Sequence, residues 1–350
     1  MNMRAMIEKY ASLLQDSSGV QAILAEMDRQ ISDASISIDS AKEGVREFSK
    51  AIKTNKALLL LGMGASHYAN ELFALQLRKV GIQAIAISAS EFLYDPLPVW
   101  KAPVLFTSQS GESVETVRCL SLLQGCQLFS ITLNGNSTIG RKTYALVASG
   151  GEEKAFAGTR SVTLTISLMA SVCEVLGCFT KKDLQRALLS GPETVESLEK
   201  ALGLLIQARQ VVATGRSLFS PIAHLFALGC EELSRISILC LESGQLRHGP
   251  TEILSSDTTL VLFRQDGTLG QLAGSFEELQ RKAGFSFVVF DASSFKALDQ
   301  AVTIRFPAGE DMLAVLGMMS AFQTLMITFA CAKNPYTGIP RYGSKVTTSE

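Results

Sequence analysis

Residues 57–66 read Ala57-Leu58-Leu59-Leu60-Leu61-Gly62-Met63-Gly64-Ala65-Ser66, and a helical pattern follows from about Ser66 to Val80. An apolar run too short for a helix, a glycine turn and then 3.6-residue spacing predict strand, turn, helix. The same grammar continues with strands at Ala84–Ser88 and Pro103–Thr107, a helix at about Glu112–Leu123, a strand at Cys126–Leu133 and a helix at about Ser161–Leu176. Strands alternating with helices of roughly 10–15 residues predict a parallel sheet covered on both faces. Residues 1–55 have helical spacing with no strand signal.

After a polar connector the pattern restarts. Val211–Thr214 leads into Gly215-Arg216-Ser217 and a helix at about Pro221–Leu233. Strands follow at Ile236–Cys240, Thr258–Phe263 and Ser286–Phe290, with a helix near Gly270–Ala283 and a long one at about Met312–Ala332. The glycine turn at 62–66 and its counterpart at 214–217, each followed by an apolar helix, predict an internal duplication. The expected organisation is a helical segment at 1–55, one α/β domain at 56–195, a second at 196–333, and a tail at 334–350 on the surface or reaching into a site.

With 350 residues and 47% apolar composition, the chain has material for two buried cores. Lys+Arg 32 against Asp+Glu 33 leaves a net charge of -1. No long-range field gathers nucleic acid or an acidic membrane, so any bound phosphate has to be captured locally. The seven cysteines form no CxxC pair and read as reduced core residues. The start, MNMRAMIEKYASLLQD, is amphipathic with acidic residues, unlike a signal peptide. Apolar stretches look broken well short of the ~20 residues needed to span a bilayer, so a cytoplasmic protein is expected.

The strongest chemical signal is Thr107-Ser108-Gln109-Ser110-Gly111-Glu112-Ser113, at the carboxyl end of a predicted strand, where open α/β sheets bind ligands. A phosphate there would meet free backbone N–H groups and up to four hydroxyl donors, Thr107, Ser108, Ser110 and Ser113. Helix capping by Ser110 or Glu112 is the plainer alternative, and it explains one hydroxyl rather than four. The Gly62–Ser66 turn is a second wall of such a pocket; His67 stands where a dinucleotide fingerprint needs its third glycine.

A second region holds Glu231-Glu232 at a helix end and His248-Gly249-Pro250 in a loop. A carboxylate and an imidazole can move a proton between adjacent carbons and open a sugar ring. Taken alone, such groups are more often surface or structural, and the same holds for His67 and His224 in their apolar helical stretches. No His or Cys spacing fits a tetrahedral metal site. Lys345, in the tail string PRYGSKV, is by itself an ordinary solvated lysine.

Together, LGMGAS (61–66), TSQSGES (107–113) and SGQLRHGP (243–250) resemble the sugar isomerase (SIS) domain family. The resemblance is in particular to the isomerase half of glucosamine-6-phosphate synthase and to its relatives, the fructosamine-6-phosphate deglycases. It runs from ILAEMDRQ (23–30) to PRYGSKV (340–346) and implies two tandem SIS domains, each a doubly wound, flavodoxin-like parallel α/β sandwich, with N-terminal helices. It puts Ser66, Ser108, Gln109, Ser110 and Ser113 on the family's sugar-phosphate ligands, and Thr159 beside its third sugar-binding stretch, with Gly158 where the synthase has a serine. Glu232 falls on the proton-transferring base, sixteen residues before His248, which matches the ring-opening acid/base. Lys345 matches the tail lysine that closes over the sugar, and Gly229 replaces a lysine of the synthase.

The chain begins Met1-Asn2 where the synthase carries a glutaminase domain with a nucleophilic cysteine. That start and the RYGSKV tail are more like a free-standing deglycase. The implied activity is cleavage of a 6-phosphorylated sugar–amino acid adduct, such as fructoselysine or glucoselysine 6-phosphate, to hexose 6-phosphate and free amino acid, with no cofactor or metal. A hexosamine-6-phosphate deaminase or aldose–ketose isomerase, or a non-catalytic sugar-phosphate sensor, are the alternatives. The family's shared active sites imply a homodimer or higher homo-oligomer.

Overall fold

The structure, a computed structural model, describes residues 2–98 and 100–347. Its N-terminal region forms α1 (Met3–Ala11), α2 (Ser18–Ser40) and α3 (Lys42–Asn55). By contact the chain divides into two compact units, one of residues 25–186 with 340–350, the other of residues 1–24 with 187–339.

The first unit contains β1 (Ala57–Gly62), α4 (Gly64–Lys79), β2 (Gln83–Ser88), α5 (Ala89–Tyr94), β3 (Val104–Thr107), α6 (Val114–Cys119), β4 (Leu128–Thr132), α7 (Thr138–Lys142), β5 (Tyr144–Val147) and α8 (Arg160–Val175). Its strands are all parallel, in the order β2-β1-β3-β4-β5. Leu58 to Leu61 are 0% exposed, which is why β1 reads as an unbroken apolar run rather than an alternating one. The order reverses between β1 and β3, and that switch point opens at the strands' carboxyl ends, where Gly62 stands opposite Thr107.

After α9 (Lys181–Leu188), the second unit adds α10 (Glu196–Gln207), β6 (Gln210–Gly215), α11 (Phe219–Ser234), β7 (Leu239–Glu242), α12 (Ser243–Arg247), β8 (Thr258–Arg264), α13 (Gly267–Gln271), α14 (Ser275–Ala283), β9 (Ser286–Asp291), β10 (Ala301–Arg305) and α15 (Met312–Lys333). Its sheet, β7-β6-β8-β9-β10, repeats the first strand for strand, again parallel throughout. The doubled, doubly wound α/β architecture expected from the two glycine turns is present.

Several local expectations change. The unit boundary falls inside α2, because α1 packs on α15 while α3 packs on α8. The supposed polar connector carries α9 and α10. The helix expected over 112–123 is the shorter α6, followed by a single 3₁₀ turn at Leu120–Leu122. Among the described residues α15 does have the length and apolarity of a membrane span, with mean hydropathy 1.7, contrary to the expectation that no stretch reaches it. However, 83% of that span is buried inside the protein, as befits a helix apolar on every side at the centre of a core. The seven cysteines are free, and Cys119, Cys173, Cys230 and Cys331 are buried.

Candidate active site

The serine-rich loop leaves β3 at the carboxyl edge of the first sheet. Thr107 Oγ1 donates to Asn70 Oδ1 of α4 at 2.6 Å, which ties the loop's root to the helix after the first glycine turn. Gly111 has φ +70°, and a Cβ there would overlap the Ser137 side chain, so the loop closes only around glycine. Ser108 Oγ accepts from the N–H of Gly111 at 3.1 Å and lies 3.3 Å from Ser113 Oγ. Ser110 Oγ accepts from the N–H of Glu112 at 3.2 Å, and Glu112 in turn accepts from the N–H of Thr138 at 2.7 Å.

Ser113 sits at the N-cap of α6 without making a capping bond. The N–H of Val114 instead donates to Thr347 O in the tail at 3.1 Å. Simple capping therefore does not account for Ser113. Ser66 is buried in the first turn of α4, on the neighbouring strand's glycine turn.

Gln109 and Thr159 meet through a residue that the sequence reading missed. Glu153, 6% exposed in the loop before α8, accepts from the N–H and Oγ1 of Thr159 at 2.9 and 3.0 Å and from the N–H of Arg160 at 2.8 Å, all through Oε1. Its Oε2 lies within hydrogen-bond reach of Ser161 Oγ, which also lies 2.7 Å from Gln109 Oε1, so the one hydroxyl hydrogen serves either acceptor. One carboxylate thus satisfies the open N–H groups at the start of α8, and Ser161 lies between it and the glutamine of the serine loop. Lys345 Nζ donates to the same Oε2 at 3.1 Å and to Phe156 O at 3.2 Å. The tail lysine is held at the N-terminus of α8.

Arg160, at the first position of α8, is completely buried, and its positive charge faces the positive end of the helix dipole. Two carboxylates of α2 compensate: Glu26 Oε2 at 2.6 Å from Nε and Asp33 Oδ2 at 3.1 Å from Nη1. Burial works to raise the Glu26 pKa, but the N–H of Lys154 and the Arg160 guanidinium outweigh it and hold the carboxyl below its ordinary value.

In the second unit Glu232 and His248 are both exposed. Glu231 Oε1 accepts from the N–H of Ile238 at 2.9 Å, closing the connection from α11 to β7, while Glu232 lies on the last turn of α11. His248 is the C-cap of α12, and the chain then turns through Gly249 at φ +122° into Pro250. A Cβ at Gly229 would overlap Met326 Sδ of α15, so a side chain there requires the methionine to shift. The other two histidines keep local partners: Nδ1 of His224 lies 3.0 Å from Ser220 O, and Nε2 of His67 lies 3.5 Å from Glu71 Oε1.

Residues 51–174, which carry the first parallel sheet with the hydroxyl loop at its switch point, match the model of the SIS domain family. The first unit carries a SIS domain. Over nearly its whole length the chain is similar to the glutamine–fructose-6-phosphate aminotransferase (isomerizing) of Sulfurisphaera tokodaii, at 24% identity over 338 residues, covering 93% of this chain and 55% of that protein. It spans about half the length of the curated relatives it matches.

Two solved structures share the fold. The C-terminal domain of glucosamine-fructose-6-phosphate aminotransferase from Francisella tularensis has a TM-score of 0.78 at 19% identity, covering 89% of this chain and 96% of that one. Tagatose-6-phosphate ketose/aldose isomerase from Escherichia coli has a TM-score of 0.72 at 20% identity, covering 90% and 95%.

Proposed function

We propose that the chain is a sugar-phosphate enzyme of the SIS class and, within that class, a deglycase acting on a 6-phosphorylated sugar–amino acid adduct. The observation that supports the reading is the convergence of Thr159 and Lys345 on Glu153, with Gln109 one step away through Ser161, three residues from separate parts of the sequence that the family resemblance assigns to the sugar-phosphate site. A buried carboxylate that holds the tail lysine beside the serine loop suits a site that grips an anion with neutral donors and closes over it. The hydroxyls of Ser108, Ser110 and Ser113, with Ser66, supply those donors to the phosphate.

In the proposed reaction His248 protonates the ring oxygen and opens the sugar. Glu232 then removes the proton from the carbon that bears the amine, which the adjacent carbonyl makes acidic, giving an enaminol. Reprotonation at the former carbonyl carbon yields an imine, and water hydrolyses it to hexose 6-phosphate and free amino acid. Both side chains are exposed, as groups that must reach a substrate have to be. A homo-oligomer with shared sites remains part of the proposal.

Glu232→Gln tests it. Binding of a sugar phosphate, followed by calorimetry, should stay within about threefold of the parent, while turnover falls at least ~10²-fold, the usual contribution of a general base. Undiminished turnover would remove Glu232 from the mechanism. A deaminase or aldose–ketose isomerase would use the same pair and would show itself by its products; a sensor would bind and turn nothing over.

A further inference from the structure

The serine loop is anchored unequally on its two sides. Toward β4 and α7 its backbone is held at several points. Gln109 O accepts from the N–H of Leu133 at 2.9 Å and from Thr132 Oγ1 at 3.2 Å, and Gly111 O accepts from the N–H of Ile139 at 3.2 Å. Toward β1 and α4, where Ser66 lies, the strand ladder ends at the pair Gly62 and Thr107. Past that pair, one side-chain hydrogen bond joins the loop strand to α4 among the described residues. It runs from Thr107 Oγ1 to Asn70 Oδ1 at 2.6 Å, between residues 1% and 0% exposed.

Asn70 lies one turn along α4 from Ser66, on the same face, and both are buried. A Cβ on Gly62 would come within 3.0 Å of Asn70 Nδ2 and 2.9 Å of Thr107 O, so this amide fits against the glycine turn because Gly62 has no side chain. Nδ2 itself has no hydrogen-bond partner among the described residues. A buried amide with its donors unmet is a poor choice for stability alone, since replacing both partners of such a bond by apolar groups of the same shape is nearly neutral or stabilising. What the polar pair supplies and an apolar pair does not is direction. Thr107 also has a single hydroxyl hydrogen, and once given to Asn70 it is not available to a phosphate, contrary to the expectation of four hydroxyl donors in the loop.

We infer that Asn70 is a positioning residue of the sugar-phosphate site: through Thr107 it holds the serine loop in register with Ser66, and the Thr107 hydroxyl serves that bond rather than the phosphate. This role rests on the proposed sugar-phosphate reading and adds to it a residue that touches no substrate.

The test is calorimetric titration of the full chain and its variants with fructose 6-phosphate. Thr107→Val keeps the shape and removes the hydroxyl, Thr107→Ser keeps the hydroxyl, and Asn70→Leu removes the acceptor while freeing the hydroxyl for a ligand. Thr107→Val and Asn70→Leu should each weaken binding about fivefold or more, the scale of one neutral hydrogen bond, with Thr107→Ser within about twofold of the parent. The double variant Thr107→Val/Asn70→Leu should bind no more weakly than the worse single, whereas independent contributions would multiply. It should also melt no lower than either single, because both partners and the unmet Nδ2 are gone together. Parent-like binding by Asn70→Leu beside a weakened Thr107→Val would make the hydroxyl a direct phosphate donor and overturn the inference. Multiplied losses in the double variant, or weakened binding in a double that melts below both singles, would overturn it as well. A parent chain that binds no fructose 6-phosphate would overturn the sugar-phosphate reading together with this one, whereas parent-like binding by every variant would overturn only the role of Asn70.

Discussion

Replacing Glu153 by glutamine changes one buried atom and should loosen both α8 and the tail. In the parent, Oε1 serves Thr159 and the N–H of Arg160, while Oε2 serves Ser161 and Lys345. A glutamine can keep the first set, and Ser161 can turn its hydrogen to Gln109 and accept from the new NH₂, but the Lys345 ammonium is then left facing a donor. One charge-assisted hydrogen bond lost at about 1.5–3 kcal/mol, plus about 0.5–1 kcal/mol of weakened capping, gives roughly 2–4 kcal/mol. At about 2–4 °C per kcal/mol for a unit of this size, Tm should fall by roughly 5–15 °C. The tail should come loose as well, so limited trypsin digestion should cut at Arg341 and Lys345 faster than in the parent. A variant melting within about 1 °C of the parent, with its tail trimmed at the same rate, would refute the assignment of Glu153 as the residue that holds them.

Three further outcomes follow from the packing and charges. Glu26 titrates below its ordinary 4.5 in the fold, so its contribution is fully present above that pH and is lost as pH falls through the lowered value; Tm should hold to about pH 5 and then drop, and Glu26→Gln should flatten part of that drop. Gly229→Ala should cost roughly 1–3 kcal/mol in a denaturant melt, as overpacking against Met326 does, and an unchanged midpoint would mean that α11 and α15 pack more loosely than described. Burial pushes the Cys119 thiol up to about 11 and Cys331 to about 12, so both should resist alkylation at pH 8 until the protein unfolds; rapid labelling of either in the native state would contradict their place in the core.

What was legible in the sequence follows physical lines. β1 and the serine loop could be read because a strand buried on both faces must be a continuous apolar run, and a loop that turns tightly needs Gly111. The edge strands β5 and β10 were missed because each is covered only in part: Tyr144 is 45% exposed, and in β10 Ile304 is the one fully buried member. α10 was passed over as polar connector because its solvent face, with Glu196, Glu199 and Lys200, dominates a first reading, while Leu198, Leu202 and Leu205 carry the buried face. Glu153 was invisible for a different reason. Gly-Glu-Glu-Lys at 151–154 reads as a solvated loop, and Lys345 lies 192 residues away, so only the fold reveals the carboxylate's partners.

The account stands or falls on product analysis. Purified protein should be incubated separately with fructoselysine 6-phosphate, glucoselysine 6-phosphate and glucosamine 6-phosphate, and hexose phosphate, amino acid and ammonia measured in each. Hexose 6-phosphate and free lysine in equal amounts from one of the two adducts is the predicted result. Ammonia from glucosamine 6-phosphate with the adducts untouched would contradict the deglycase and make the chain a deaminase, and binding without any product would contradict catalysis altogether.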